Sequence, residues 1–131
     1  MDKIAADAWI VVADGERARV FRNRGDGGRI ALHQVDVLEA QAIDDDGPAG
    51  SVPPEQTGQQ LDEATFAKQL AQRLNAAALA DDFTQLVLVA DPQTLGQMRP
   101  LLHKETLQRQ VGELAKTLTN APVEDIERAL S

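Results

Sequence analysis

The sequence has no cysteine, and aromatic residues make up only 3% of it. Without cysteine, the chain has no disulfide, no thiolate nucleophile and none of the common structural zinc sites, which fits a reducing compartment. No stretch approaches the roughly 20 apolar residues that a membrane-spanning helix needs. The first seven residues also lack the basic segment and the apolar run of a secretory signal. We therefore expect a soluble cytoplasmic protein with no membrane segment.

What remains is an ordinary globular composition, with 43% hydrophobic and 26% charged residues in a chain of 131. A chain of this length suits one domain and buries roughly two-thirds of the surface that it exposes when unfolded. We expect a single domain over residues 1–131, with a core of alanine, leucine, valine and isoleucine.

Charge is unevenly distributed along the chain. The net charge of −8 disfavours broad, nonspecific binding to nucleic acid. Positions 17–29 nevertheless carry five arginines against one aspartate, whereas positions 36–63 carry eight acidic residues and no lysine or arginine. Two interpretations stay open. The segments are either two solvated surfaces, or one pair that attract each other, or the basic segment is a docking face.

Three strand patterns open the chain. Trp9–Ala13 is a continuous apolar run, typical of a buried strand, and the turn signal Asp14-Gly15 follows it. Over 17–21, Ala18 and Val20 share one face, and the two arginines and Phe21 share the other. A third strand is predicted over 30–38. Its expected inner face consists of Ala31, His33, Val35 and Val37. The result is a three-stranded antiparallel meander.

The rest of the chain predicts α-β-α units. The expected elements are a helix from about Asp62 to Ala80, a buried strand over 85–90, a helix capped by Asp91 and interrupted by Pro100, an edge strand within 110–119, and a helix opened by Pro122. Because a helix separates buried apolar strands, part of the sheet should be parallel. Glycine, proline and acidic residues predict a long mobile loop at 39–61.

Residue chemistry alone predicts no catalytic site, no metal and no cofactor. His33 and His103 are far apart and lack partner ligands, and the Asp44–Asp46 run lacks the spacing of a calcium loop. There is no phosphate-binding glycine loop and no serine elbow. The glycines at 25–28 join two strands, so they do not provide the helix N-terminus that phosphate binding needs.

Three segments in order resemble the bacterial host-attachment protein family, the proteins required for attachment to host cells. They are the hairpin 9–21, the strand and helix 86–99, and the short stretch Lys116-Thr117-Leu118-Thr119-Asn120. Thr117 and Met98 stand where the family usually has aspartate and leucine, and 39–61 lacks the family's Arg-Asp-rich segment. The resemblance covers nearly the whole chain.

That family is also similar to the middle domain of archaeal and eukaryotic peptide-chain release factors. In that domain a Gly-Gly-Gln loop precedes a helix containing Arg-Phe-Ala; here Thr57-Gly58-Gln59 precedes Thr65-Phe66-Ala67. The resemblance implies a non-enzymatic cytoplasmic binding module linked to the ribosome or tRNA, with any host-attachment role indirect. The arginines expected to bind are Arg17, Arg19, Arg22, Arg24 and Arg99.

Two alternatives stay open beside the binding module. One is an ester hydrolase that acts on peptidyl-tRNA, with Gly58 and Gln59 as its catalytic candidates. The other is an adaptor that binds protein partners through the acidic segment 36–63.

Overall fold

A computed structural model describes residues 4–25, 29–39 and 59–130; for residues 59–64 it describes the backbone only. The predicted mobile loop over 39–61 lies outside the described residues, apart from its ends. The described chain forms a mixed α/β fold built on one sheet.

The sheet has five strands in the order β3-β2-β1-β4-β5. The strands are β1 (Trp9–Ala13), β2 (Arg17–Asn23), β3 (Leu32–Glu39), β4 (Leu86–Ala90) and β5 (Gln110–Ala115). Strands β1, β2 and β3 pair antiparallel, which confirms the predicted meander. Strand β4 lies parallel to β1 and to β5, so the α/β prediction with a partly parallel sheet is also confirmed.

Four helices complete the described fold: α1 (Gln59–Leu79), α2 (Pro92–Met98), α3 (Lys104–Arg109) and α4 (Val123–Leu130). Asp91 caps α2 as predicted, because its carboxylate accepts a hydrogen bond from the Thr94 N–H at 3.1 Å. Helix α2 ends before Pro100, where a 3₁₀ turn takes over. Sequence patterns did not indicate α3, since it is one short helix whose single buried residue is Thr106.

The two faces of the sheet are covered by different helices. Alternate residues of β1 and β4 point to opposite faces, so Val11 and Leu88 pack under α1 and α2, whereas Ile10 and Val87 pack under α4. Both faces are therefore buried at the centre of the sheet. This explains why the sequences of β1 and β4 are continuous apolar runs.

The predicted inner face of the third strand is wrong. A register shift in β3 places one extra residue, Val35, between the partners of Val20 and Phe21. His33 and Val37 therefore fall on opposite faces of the sheet. Val35 lines a small cavity beside Trp9 on the α1 side, and Val37 lies opposite Arg19. Both valines are exposed, at 47% and 42%.

Helices that could cross a membrane are not found within the described ranges, because none is both long enough and apolar enough. Likewise, no three histidine, aspartate or glutamate side chains of the described residues come together as metal ligands.

Candidate functional site

Two arginines of β2 meet a distant segment of the chain in one cleft. Arg17 and Arg19 are two positions apart on a strand, so both side chains project from the same face of the sheet. They reach the segment 119–122, which follows β5. The cleft between them has a volume of about 430 Å³. Its lining consists of Arg17, Arg19, Gln34, Val37, Thr119, Asn120, Ala121 and Pro122. We call it the arginine cleft.

Neutral oxygens hold the Arg19 guanidinium in place. Its Nη1 donates to the backbone carbonyls of Thr119 at 3.1 Å and Ala121 at 2.8 Å, and its Nε donates to Gln34 Oε1 at 2.8 Å. The same group lies over the ring of Phe21, with 4.9 Å to the ring centroid, which adds a cation–π contact. The Arg19 side chain is therefore fixed without losing its charge to a carboxylate.

Arg17 is held in a similar way, since its Nη2 donates to the side-chain oxygen of Asn120. Glu39 is its neighbour across the sheet, yet the described residues place no carboxylate within ion-pair distance of Arg17 or Arg19. By contrast, five other arginines form ion pairs: Arg24, Arg73, Arg99, Arg109 and Arg128. The cleft therefore keeps two positive charges side by side.

The surroundings of the Arg19 guanidinium disfavour its positive charge. Burial, and then the neighbouring charge of Arg17, lower the pKa of the Arg19 guanidinium below its ordinary value. Arginine stays protonated even so. An anion that entered the cleft would relieve the repulsion between the two guanidinium groups.

The Asp14 carboxylate stabilises the shape of the cleft through three hydrogen bonds. Its Oδ1 accepts from the backbone N–H groups of Glu16 at 2.7 Å and Arg17 at 2.9 Å, and its Oδ2 accepts from the Thr119 hydroxyl at 2.7 Å. Burial alone would raise the pKa of the Asp14 carboxyl, but these hydrogen bonds, together with the charge of Arg17, outweigh burial and lower the pKa below 3.8. One carboxylate thus joins the β1–β2 turn to the 119–122 segment.

The five arginines predicted to bind do not form one surface. Arg17 and Arg19 share the cleft. Arg22 points to the opposite face of the sheet, and its Nε is buried without a hydrogen-bond partner among the described residues. Arg24 lies 3.8 Å from the Asp7 carboxylate, and Arg99 pairs with Glu113.

Of the two catalytic candidates, Gly58 lies outside the described residues. Gln59 is the first residue of α1, and only its backbone is described. Their proposed role therefore stays a prediction.

The partners that hold the arginines could not be predicted from the sequence. Gln34, Thr119 and Asn120 carry no signal of their own, because single polar residues in a strand or a turn are usually solvated. The arginines themselves could be placed, since the Arg-x-Arg spacing puts both on one face of a strand. The 119–122 segment is brought to them only by the tertiary fold.

The family of the chain follows from a match that spans nearly all of it. Residues 7–130 match the family model described as bacterial archaeo-eukaryotic release factor family 12, and the chain belongs to this family. This confirms the release-factor part of the resemblance drawn from the sequence, and the host-attachment part stays a prediction.

Among solved structures, an archaeal translation termination factor, aRF1, is similar to the chain at 12% sequence identity with a TM-score of 0.49. The similarity covers 84% of this chain and 30% of that one, so the chain spans less than a third of the factor's length. No curated protein matches the chain.

Proposed function

We propose that this chain is a non-enzymatic binding module that acts in translation, with the ribosome or a tRNA as its partner. Membership of a release-factor family supports the link to translation. The arginine cleft supplies the contact, and any role in host attachment is indirect.

The observation that carries the proposal is the retained charge of Arg17 and Arg19. Both guanidinium groups are positioned by neutral oxygens, so their charge is available to a ligand. Arginine binds phosphate through charge-assisted, often bidentate hydrogen bonds, and phosphate is the dominant anion of RNA. A fixed pair of arginines also loses little side-chain entropy on binding.

Because the net charge of the chain is −8, such a contact has to be confined to a small region of the surface. An acidic protein is repelled by nucleic acid at long range, so binding has to come from a few well-placed contacts. We therefore expect association that weakens with salt but rests on few phosphate contacts.

Ribosome co-sedimentation from cell lysate, at low and at physiological salt, tests the proposal. The wild-type chain should sediment with ribosomes, and the double variant Arg17→Glu/Arg19→Glu should not. Arg24→Glu/Arg99→Glu is the matched control, because it makes the same change in net charge at two arginines outside the cleft. Absence of the wild type from the ribosome fraction at both salts, or equal loss in both double variants, would contradict the proposal.

The two alternatives remain predictions, because Gly58, the side chain of Gln59 and most of the acidic segment are not described by the structure. An ester hydrolase would lose turnover on peptidyl-tRNA in Gln59→Ala while the fold stays intact. For the adaptor, only the ends of the acidic segment are described, and there Asp36 forms an ion pair with Arg73 at 3.1 Å. Light scattering and a pull-down with the acidic segment deleted would test it.

A further inference from the structure

The arginine cleft presents hydrogen-bond donors and few free acceptors. The side-chain oxygens of Gln34 and Asn120 both accept from arginines, so each amide presents its N–H₂ group elsewhere. Within the described part of the chain, neither N–H₂ group has a hydrogen-bond partner. Each amide therefore adds two free donors beside a positive charge.

The guanidinium groups also keep free donors. Arg17 uses only Nη2 in its bond to Asn120, and Arg19 uses Nε and Nη1, which leaves Nη2 free among the described residues. The Asp14 carboxylate interacts with the charge of Arg17, but three of its acceptor sites are already used by hydrogen bonds from the protein, so the cleft still has more donors than acceptors. The complementary ligand is anionic and rich in acceptors, as a phosphodiester is.

The walls and size of the cleft indicate more than a lone phosphate. Val37, Ala121 and Pro122 line it beside the donors, so part of its surface is apolar. A volume of about 430 Å³ has room for a phosphate with its attached sugar and base. A duplex could place only its backbone in a cleft of this size, whereas an unpaired nucleotide can be splayed into it and stacked on an arginine plane, so that its base contacts the apolar wall as well.

We infer that the cleft binds single-stranded RNA, with one phosphodiester between Arg17 and Arg19 and the attached base against Val37 and Pro122. This inference rests on the proposed function and narrows it: the contact is an unpaired strand or loop. The two primary amides complete the contact by donating to phosphate or base oxygens.

Two acid-for-amide substitutions test the inference without disturbing the shape of the site. In Gln34→Glu and Asn120→Asp, a carboxylate replaces a neutral oxygen that an arginine already contacts. The arginine stays in place, its charge is neutralised and the amide donors are lost. Gln108→Glu is the matched control, since it makes the same chemical change at an exposed residue of α3 outside the cleft.

The measurement is fluorescence anisotropy of a short labelled oligouridine, with a blunt RNA duplex and a polyglutamate peptide as competing probes. The wild type should bind the single strand at least about tenfold more tightly than the duplex. The double variant Gln34→Glu/Asn120→Asp should weaken this binding by about tenfold or more. Each lost phosphate contact should reduce the salt dependence, the slope of log K against log salt, by roughly 0.7. Gln108→Glu should bind as the wild type does.

Equal affinity for duplex and single strand, unchanged binding by the double variant, or tighter binding of the peptide than of RNA would overturn the inference. Thermal unfolding of the variants separates a binding defect from a folding defect, and an unchanged melting temperature is expected. Cleft-dependent ribosome association without oligouridine binding would overturn this inference alone. Loss of both would overturn the proposed function as well.

Discussion

Strand β2 carries polar side chains at both ends, and their surroundings differ. At one end Asn23 is fully buried, and all of its hydrogen bonds are to backbone groups: it donates to the carbonyls of Ile4 and Ala5 at 3.1 Å and accepts from the N–H groups of Gly25 at 3.0 Å and Ala31 at 3.1 Å. At the other end, Arg17 and Arg19 face an open cleft and keep free donors.

Asn23 is thus a polar residue that stabilises the fold, whereas Arg17 and Arg19 are polar residues that are available to a ligand. Asn23 ties the chain before β1 to the connection between β2 and β3, and its removal would leave the buried Ile4 carbonyl and the partly buried Gly25 and Ala31 N–H groups without this partner. Water can replace a lost partner in the arginine cleft, because the cleft is open. The burial of the partner group, more than the number of hydrogen bonds, decides which end matters for stability.

The largest effect is expected for Asn23→Ala. This change should lower the free energy of unfolding by about 3 kcal/mol, because the Ile4 carbonyl and the Gly25 and Ala31 N–H groups, which are buried or partly buried, lose their partner. Urea denaturation measures the loss. Asn120→Ala, the same substitution in the cleft, should cost less than about 1 kcal/mol, since Asn120 is exposed. Similar losses for the two variants would remove the contrast between the ends of β2.

A smaller loss is expected for Thr119→Val. The substitution keeps the shape of the buried side chain but removes the hydroxyl that donates to Asp14, which should cost about 1–2 kcal/mol of unfolding free energy. Thr117→Val is the control, because Thr117 is exposed and should tolerate the change. If Thr119→Val is as stable as the control, the Asp14–Thr119 bond does not hold the cleft together.

The third prediction concerns acid stability at the arginine end. Because the pKa of Asp14 is lowered in the folded chain, its carboxylate stabilises the fold above the ordinary pKa of 3.8, and this contribution is lost as the pH falls through the folded pKa. In Thr119→Val the pKa of Asp14 should rise, because a hydrogen bond that lowers it is gone while burial remains. The stability that ionised Asp14 contributes above pH 3.8 should then be smaller in the variant, so less of it is lost as the pH falls.

NMR titration of the Asp14 carboxyl checks this directly. Glu113 provides the internal reference, since its pKa is lowered first by the hydrogen bond from Arg99 and should not respond to a change at Thr119. An unchanged or lower pKa of Asp14 in the variant would show that the Thr119 hydrogen bond does not stabilise the carboxylate.

The smallest effect is expected for Arg99→Gln. Arg99 and Glu113 form an ion pair near solvent, and pairs of this kind contribute little to stability. The pKa of Glu113 should rise towards its ordinary value of 4.5 when the Arg99 hydrogen bond is lost. Ribosome association and oligouridine binding should stay unchanged. Weakened binding in this variant would extend the functional surface to the β5 edge of the sheet.

Much of the fold could be predicted because each element has a local signal. The apolar runs of β1 and β4, the Asp14-Gly15 turn and the Asp91-Pro92 cap each specify a structure within a few residues. Where a local signal was weak or absent, the prediction was incomplete. Helix α3 buries almost nothing, and the register shift at Val35 reverses the alternation that the sequence pattern of β3 indicates.

The site could be predicted only in part for a similar reason. The spacing of Arg17 and Arg19 placed both on one face, but nothing in their neighbourhood separated them from Arg22 or Arg24. The difference lies in the partners: Arg24 is next to Asp7, whereas the cleft arginines are held by Gln34 and Asn120. Those partners are set by tertiary packing, which no periodicity in the sequence describes.

The bonds from Arg19 to the 119–122 segment join residues 100 and 102 positions apart. During synthesis the β1–β2 hairpin leaves the ribosomal exit tunnel first, and the segment that completes the cleft leaves about 100 residues later. A nascent chain therefore carries the arginines long before it carries their fixed arrangement. If the cleft binds RNA as inferred, the late synthesis of residues 119–122 prevents the growing chain from binding, through a complete cleft, the ribosome that synthesises it.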